Sequence, residues 1–125
     1  MCNKDSLNIE AVQQTLLIIS GKWKVPIIVA LRLYGKSRFK DLMEHIDGIG
    51  SKMLSKELKD LEENGIVNRH VYSTTPVSID YVLSLYGKTL DNIIKEMSAW
   101  GTIHKQKLEN YNPNHPIEHF NTIDI

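Results

Sequence analysis

IGSKMLSKELKDLEENGIVNRH, residues 49–70, is the stretch on which the fold turns. On a helical wheel at about 100° per residue, Leu54, Leu58 and Leu61 fall within about 60° of one another, and Lys52, Lys56 and Lys59 fall within about 60° of one another on the opposite side. One face is built for a core, the other for water or for anions. Ser51 is a favoured N-cap residue and Gly65 supplies the left-handed position that ends a helix, so the spacing predicts a helix over 52–64. Glu57, Asp60 and Glu62 lie mainly on its flanks, and only Glu63 shares the lysine side, in the last turn.

A lysine stripe on an amphipathic helix is most often a solvated face. The neighbours of this one change its meaning. Upstream, Ser37 precedes Phe39, Leu42, Met43 and Ile46, the pattern of a short helix capped by Ser37 and stopped by Asp47-Gly48-Ile49-Gly50. Helix, glycine-containing turn, helix is the arrangement with which many proteins enter the major groove of DNA. Downstream, residues 66–72 and 79–83 are rich in β-branched and aromatic side chains and are joined by Ser73-Thr74-Thr75-Pro76-Val77-Ser78, which predicts a hairpin, the wing.

Further out, Ile9, Val12, Leu16 and Ile19 recur at helical spacing until Gly21. A second helix then carries Trp23, Ile27, Ile28 and Leu31 to Gly35, with Pro26 in its first turn. A long last helix over 85–108 places Leu90, Ile93, Ile94, Met97 and Trp100 on one side. The fold class is mainly α with a small β-hairpin wing, a winged helix-turn-helix. Residues 1–111 are read as that domain with its flanking helices. Residues 112–125, with Pro113, Pro116 and no apolar period, are read as a loosely ordered tail in which the two prolines disfavour a helix.

The totals set bounds on function. At 125 residues there is room for one core, and 42% hydrophobic with 24% charged residues is ordinary for a globular domain. Fifteen basic residues balance fifteen acidic ones, so any preference for a polyanion must come from where the charges stand. The apolar runs are too short and too interrupted to span a bilayer. Cys2 is the only cysteine and no signal peptide opens the chain, which points to the cytoplasm.

On the lysine helix, Ser51, Lys52, Ser55, Lys56 and Lys59 are the candidates for base edges and phosphates, with the helix N-terminus favouring phosphate. Arg38, Arg69 and His70 are candidates for backbone contact, and Tyr72, Ser73, Thr74 and Thr75 of the wing for the adjacent minor groove or its backbone. Asp41, Glu44 and His45 could be imagined as an acid/base set, but no nucleophile, phosphate-binding glycine loop or metal-ligand set accompanies them, so no enzyme is expected. His115 and His119 are four apart without further ligands, so neither a metal nor a cofactor is expected. Trp23 and Trp100 could line a pocket for a small-molecule effector, although such residues serve more often in cores and interfaces. The competing function is a winged-helix protein-interaction module that does not bind DNA. Three lysines with no aromatic or apolar anchor on the exposed helix face speak against it.

The order of motifs can now be set out: Gly21-Lys22-Trp23, Arg38-Phe39-x-x-Leu42, Ile49-x-Ser51-Lys52-Met53-Leu54, Leu61-Glu62-x-x-Gly65-Ile66-Val67-x-Arg69, Pro76-x-x-Ile79-Asp80-Tyr81-x-Leu83 and Gly87. Over residues 9–101 the chain resembles the HxlR family of bacterial winged helix-turn-helix regulators. The resemblance implies a homodimer held by the first and last helices, with Ile9, Val12, Leu16, Leu90, Ile93, Ile94, Met97 and Trp100 as interface candidates. Each copy would place its lysine helix in a major groove of a palindromic double-stranded site, with repression as the commoner outcome. Two positions depart from the family. Glu10 stands where many relatives have a cysteine followed by proline that senses oxidants or electrophiles in some of them, and Pro76-Val77-Ser78 stands where relatives tend to have Pro-Pro-Arg.

Overall fold

The structure is a computed structural model describing residues 7–121; Cys2 lies outside the described residues. It divides into two compact units, one through Thr89 and one from Leu90 onward.

The first unit holds α1 (Ile9–Ile19), α2 (Lys24–Tyr34), β1 (Ser37–Arg38), α3 (Phe39–His45), α4 (Ser51–Glu63), β2 (Val67–Tyr72), β3 (Ser78–Leu83) and α5 (Leu85–Lys88). Asn8 caps α1 through its side chain, which accepts from the Ala11 N–H at 3.1 Å. α2 starts at Lys24, so Pro26 occupies the third helical position, and α2 ends at Gly35 with φ +72°, a conformation glycine adopts without strain. Ile27, Ile28 and Leu31 of α2, Leu42 of α3, Leu54, Leu58 and Leu61 of α4, Ile66 just before β2, and Val67 and Leu83 from the strands are all buried. Packed apolar side chains from three helices and a sheet thus make one core, and the leucine face assigned to α4 is its share of it.

The sheet has three strands, not two. β1 pairs antiparallel with β3 (Ser37 opposite Tyr81, Arg38 opposite Asp80), so the order is β1-β3-β2. Because Ser37 belongs to this strand, it does not cap α3. Its hydroxyl is buried and donates to the Gly35 carbonyl at 2.9 Å, while Arg38 takes the N-cap position and its backbone N–H donates to Asp41 at 3.0 Å. A similar shift of one residue occurs at α4, where Gly50, in extended conformation, is the N-cap and Ser51 is the first helical residue. Asn64 and Gly65 close that helix as its sequence suggests, Gly65 at φ +76°.

The helix expected over 85–108 is two helices. Ser84 caps the short α5 by accepting from the Gly87 N–H at 2.8 Å, and its hydroxyl also donates to the Gly65 carbonyl at 2.5 Å. This turn holds α5 on the α4–β2 junction, and the i+3 hydrogen bond from the Thr89 N–H to the Tyr86 carbonyl closes it.

The second unit begins at Leu90 and contains α6 (Asp91–Glu109) and α7 (Pro116–Asn121). α7 corrects the expectation of no helix around His115 and His119. Pro116 is its first residue, where the missing N–H would have no helical partner anyway. A ring nitrogen of His119 is hydrogen-bonded to the Lys107 carbonyl, and Tyr111 meets the His119 ring edge-on at 5.4 Å.

Candidate nucleic-acid interface

α4 carries the lysine face to the surface. Ser51, Lys52, Ser55, Lys56 and Lys59 are all exposed; the three lysines stand opposite the buried leucines and the two serines flank them. Among the described residues Lys52 and Lys59 have no carboxylate within salt-bridge distance, whereas Lys56 approaches Glu57 at 3.4 Å and Asp60 at 3.7 Å. The three lysines are therefore not equivalent: two project without an internal partner and one is partly neutralised.

Glu57 is buried, and its partner is a residue with no place among the sequence-derived candidates. Lys24, at the start of α2, donates to Glu57 at 2.6 Å and lies 3.5 Å from Asp60. The hydrogen bond to Glu57 raises the Lys24 pKa above the usual lysine value; burial opposes this, and the charges of Glu57 and Asp60 add to it. A raised pKa in the folded state stabilises the fold fully below the unfolded-chain value of about 10.4 and ceases to do so as pH rises through the folded value. Thermal unfolding followed against pH is therefore expected to show no contribution from this lysine's titration between neutrality and pH ~9, and a falling Tm on the alkaline side that Lys24→Met lacks.

The remaining candidates lie on the sheet. Cross-strand partners share a face, so Arg38, Asp80 and His70 form a row across all three strands, with Tyr72 and Ser78 paired further out on the same face. Arg38 Nε lies 3.7 Å from Asp80, which leaves most of its guanidinium in solvent. Arg38, Tyr72, Thr74 and Thr75 line a hollow of about 570 Å³ at the wing. Lys36 joins them, 3.5 Å from the Tyr72 hydroxyl, and is a second cation that the wheel analysis missed. Its position directly before Ser37-Arg38 would have flagged it had the short strand been foreseen. Ser73 is exposed on the connection between the strands. Arg69 pairs with Tyr81 on the opposite face of the sheet, so it is not brought together with Arg38 and His70.

Trp23 and Trp100 belong to different units. Trp23 lines a hollow of about 380 Å³ with Pro26, Leu33 and Tyr34, the last stacked on His45 at 3.7 Å between ring centroids. That stacking places His45 against an aromatic ring. Trp100 is exposed on α6 and stacks on His104 at 4.8 Å. Of the interface candidates, Ile9, Val12 and Leu16 are exposed on α1, and Ile93, Met97 and Trp100 on α6.

A lysine-faced helix behind a short helix and a glycine-containing turn, followed by a two-stranded wing, defines a winged helix-turn-helix protein. A family profile described as HxlR-like helix-turn-helix matches residues 18–109, and the chain belongs to that family. It is similar to the HTH-type transcriptional regulator YtcD of Bacillus subtilis (strain 168), 41% identical over 94 residues that cover 75% of this chain and 74% of YtcD. It is also similar to YybR of the same organism, 38% identical over 103 residues that cover 82% of each chain. Among solved structures, the redox regulator HypR in its reduced form superposes with a TM-score of 0.75 at 37% identity, covering 81% of this chain and 99% of HypR. The chain is thus an HTH-type transcriptional regulator by family. Among the described residues no helix is long and apolar enough to cross a membrane.

Proposed function

We propose that the chain acts in the cytoplasm as a homodimeric repressor that binds a palindromic operator. The exposed lysine face of α4, opposite a leucine face sunk in the core, is the observation that carries this reading. In the complex, α4 enters the major groove. Lys52, Lys56 and Lys59, with Ser51 and Ser55, meet phosphates and base edges, Ser51 and Lys52 in the first turn, where unpaired N–H groups also attract phosphate. Arg38, Lys36, His70 and the wing residues Tyr72, Ser73, Thr74 and Thr75 hold the flanking backbone, and Arg69 reaches it from the other side of the sheet. Lys36 supplies a cation at the wing hollow, where relatives tend to have arginine and this chain has Ser78.

A second copy covers the exposed apolar side chains of α1 and, separately, those of α6, with the half-buried Ile94 and, just before α6, Leu90, because surfaces of this kind are seldom left to water. Two-fold symmetry then requires two half-sites about one helical turn of DNA apart, or a multiple of it. The hollow beside Trp23 is the place in the first unit where a small effector would sit. No redox role is assigned, since Glu10 stands where oxidant-sensing relatives have cysteine.

The test is anisotropy binding to DNA from the protein's own upstream region, in a salt series and against unrelated competitor. Specific, steeply salt-dependent binding by a dimer supports the reading. Equal and weak binding to all sequences at every salt concentration overturns it in favour of a protein-interaction module.

A further inference from the structure

We propose that Lys24, which does not belong to the lysine face, is a positioning residue for DNA binding: it keeps the carboxylates of Glu57 and Asp60 neutralised so that Lys56 is free to leave them for a phosphate. This rests on the DNA-binding reading above and goes beyond it by assigning a role to a residue of another helix.

Two cations share two carboxylates. Lys24 Nζ is 2.6 Å from Glu57 Oε2 and 3.5 Å from Asp60 Oδ2, while Lys56 Nζ is 3.4 Å from Glu57 Oε1 and 3.7 Å from the same Asp60 oxygen. The two lysines differ in burial. The side chains of Lys24 and Glu57 are 14% and 9% exposed, that of Lys56 is 65% exposed. An ion pair withdrawn from water is short and costly to break, whereas a long, solvated pair is worth little and exchanges easily. Lys24–Glu57 is therefore the fixed half of the cluster and Lys56 the exchangeable half.

When a phosphate approaches α4, Lys56 can swing to it without stranding a bare carboxylate, because Lys24 still covers both acids. Without Lys24 the balance reverses. Glu57 and Asp60 then hold Lys56 as their only counter-ion among the described residues, and the flank of the helix beside the DNA carries a net negative charge. The polyanion loses one contact and gains a repulsion.

The measurement is anisotropy titration of a mixed-sequence DNA duplex at low salt, repeated over a salt series, with wild type, Lys24→Met, Lys24→Arg and the double variant Lys24→Met/Glu57→Met. Circular dichroism melts report the folded fraction of each. Lys24→Met is expected to bind about tenfold more weakly and with a shallower salt slope, by about 1 for each protomer's lost phosphate contact. Lys24→Arg keeps the charge and should stay within about twofold of wild type. The double variant, in which no buried charge is stranded, should recover to within about threefold of wild type.

A folded Lys24→Met with wild-type affinity and slope overturns the proposal, as does a folded double variant that remains tenfold weak. If Lys24→Met does not fold, the double variant decides alone on the same threshold. Wild type that binds no duplex even at low salt removes the DNA-binding reading and this proposal with it; wild type that binds while Lys24→Met matches it removes only the proposal.

Discussion

Replacing Lys52 and Lys59 together with alanine is expected to weaken DNA binding on the order of 100-fold, with folding and thermal stability unchanged. Both side chains are exposed and neither has an internal carboxylate partner among the described residues, so the fold loses nothing when they go. Each lysine that neutralises a phosphate releases about one counter-ion, and the proposed dimer carries the pair twice. The slope of log affinity against log salt should therefore fall by up to about 4. Lys56→Ala alone should cost about as much as Lys59→Ala alone, because Lys24 leaves the Lys56 ammonium free to exchange Glu57 and Asp60 for a phosphate. Anisotropy titrations at several salt concentrations check all three variants. An unaltered slope in the double variant would place α4 outside the interface.

Gly87→Ala is expected to lower stability by about 3 kcal/mol, which for a unit of this size lowers Tm by on the order of 10 °C or more. A Cβ built on Gly87 would stand 2.2 Å from the Ile66 carbonyl oxygen and 3.1 Å from its carbon. Backbone cannot yield as a flexible side chain does. Relief would have to come from moving α5, which the Ser84 hydroxyl ties to the Gly65 and Ile66 carbonyls and to the Gly87 N–H. Gly101→Ala is the control. It lies within α6, its new methyl would meet nothing within 4 Å, and alanine in place of glycine in a helix should stabilise by about 0.5–1 kcal/mol. Denaturant melts of the two variants should shift in opposite directions, and a tolerated Gly87→Ala would mean that α5 is free to slide.

The parts of the fold legible in the sequence are those whose pattern is local. α1, α2 and α4 announce themselves through three- and four-residue apolar spacing, and the buried set Leu54, Leu58 and Leu61 is the set the wheel assigns. What stayed hidden is non-local. Nothing in Ser37-Arg38 says that it pairs with Asp80-Tyr81, far along the chain, so Ser37 looked like a cap when it is a strand residue. A wheel treats each helix alone, so it could group the lysines of α4 on one face but could not see that Lys24 of α2 reaches Glu57 and Asp60. The prolines at 113 and 116 read as helix breakers because the rule was applied to the helix interior, and Pro116 sits at the helix start. The break at Thr89 and Leu90 is likewise invisible to periodicity, since the apolar spacing runs across it.

The two-residue strand β1 has a mechanical consequence. Arg38 is both its last residue and the N-cap of α3, so the polypeptide that opens the helix-turn-helix is stitched into the wing sheet by the β1–β3 ladder. A sheet strand and the helix growing from its end have no slack between them. Wing and helix-turn-helix therefore travel as one block, and neither changes shape without the other. In the proposed dimer the adjustable quantity is then the separation of two such blocks, so the length and stiffness of the operator spacer would weigh on binding beside the sequence of its half-sites.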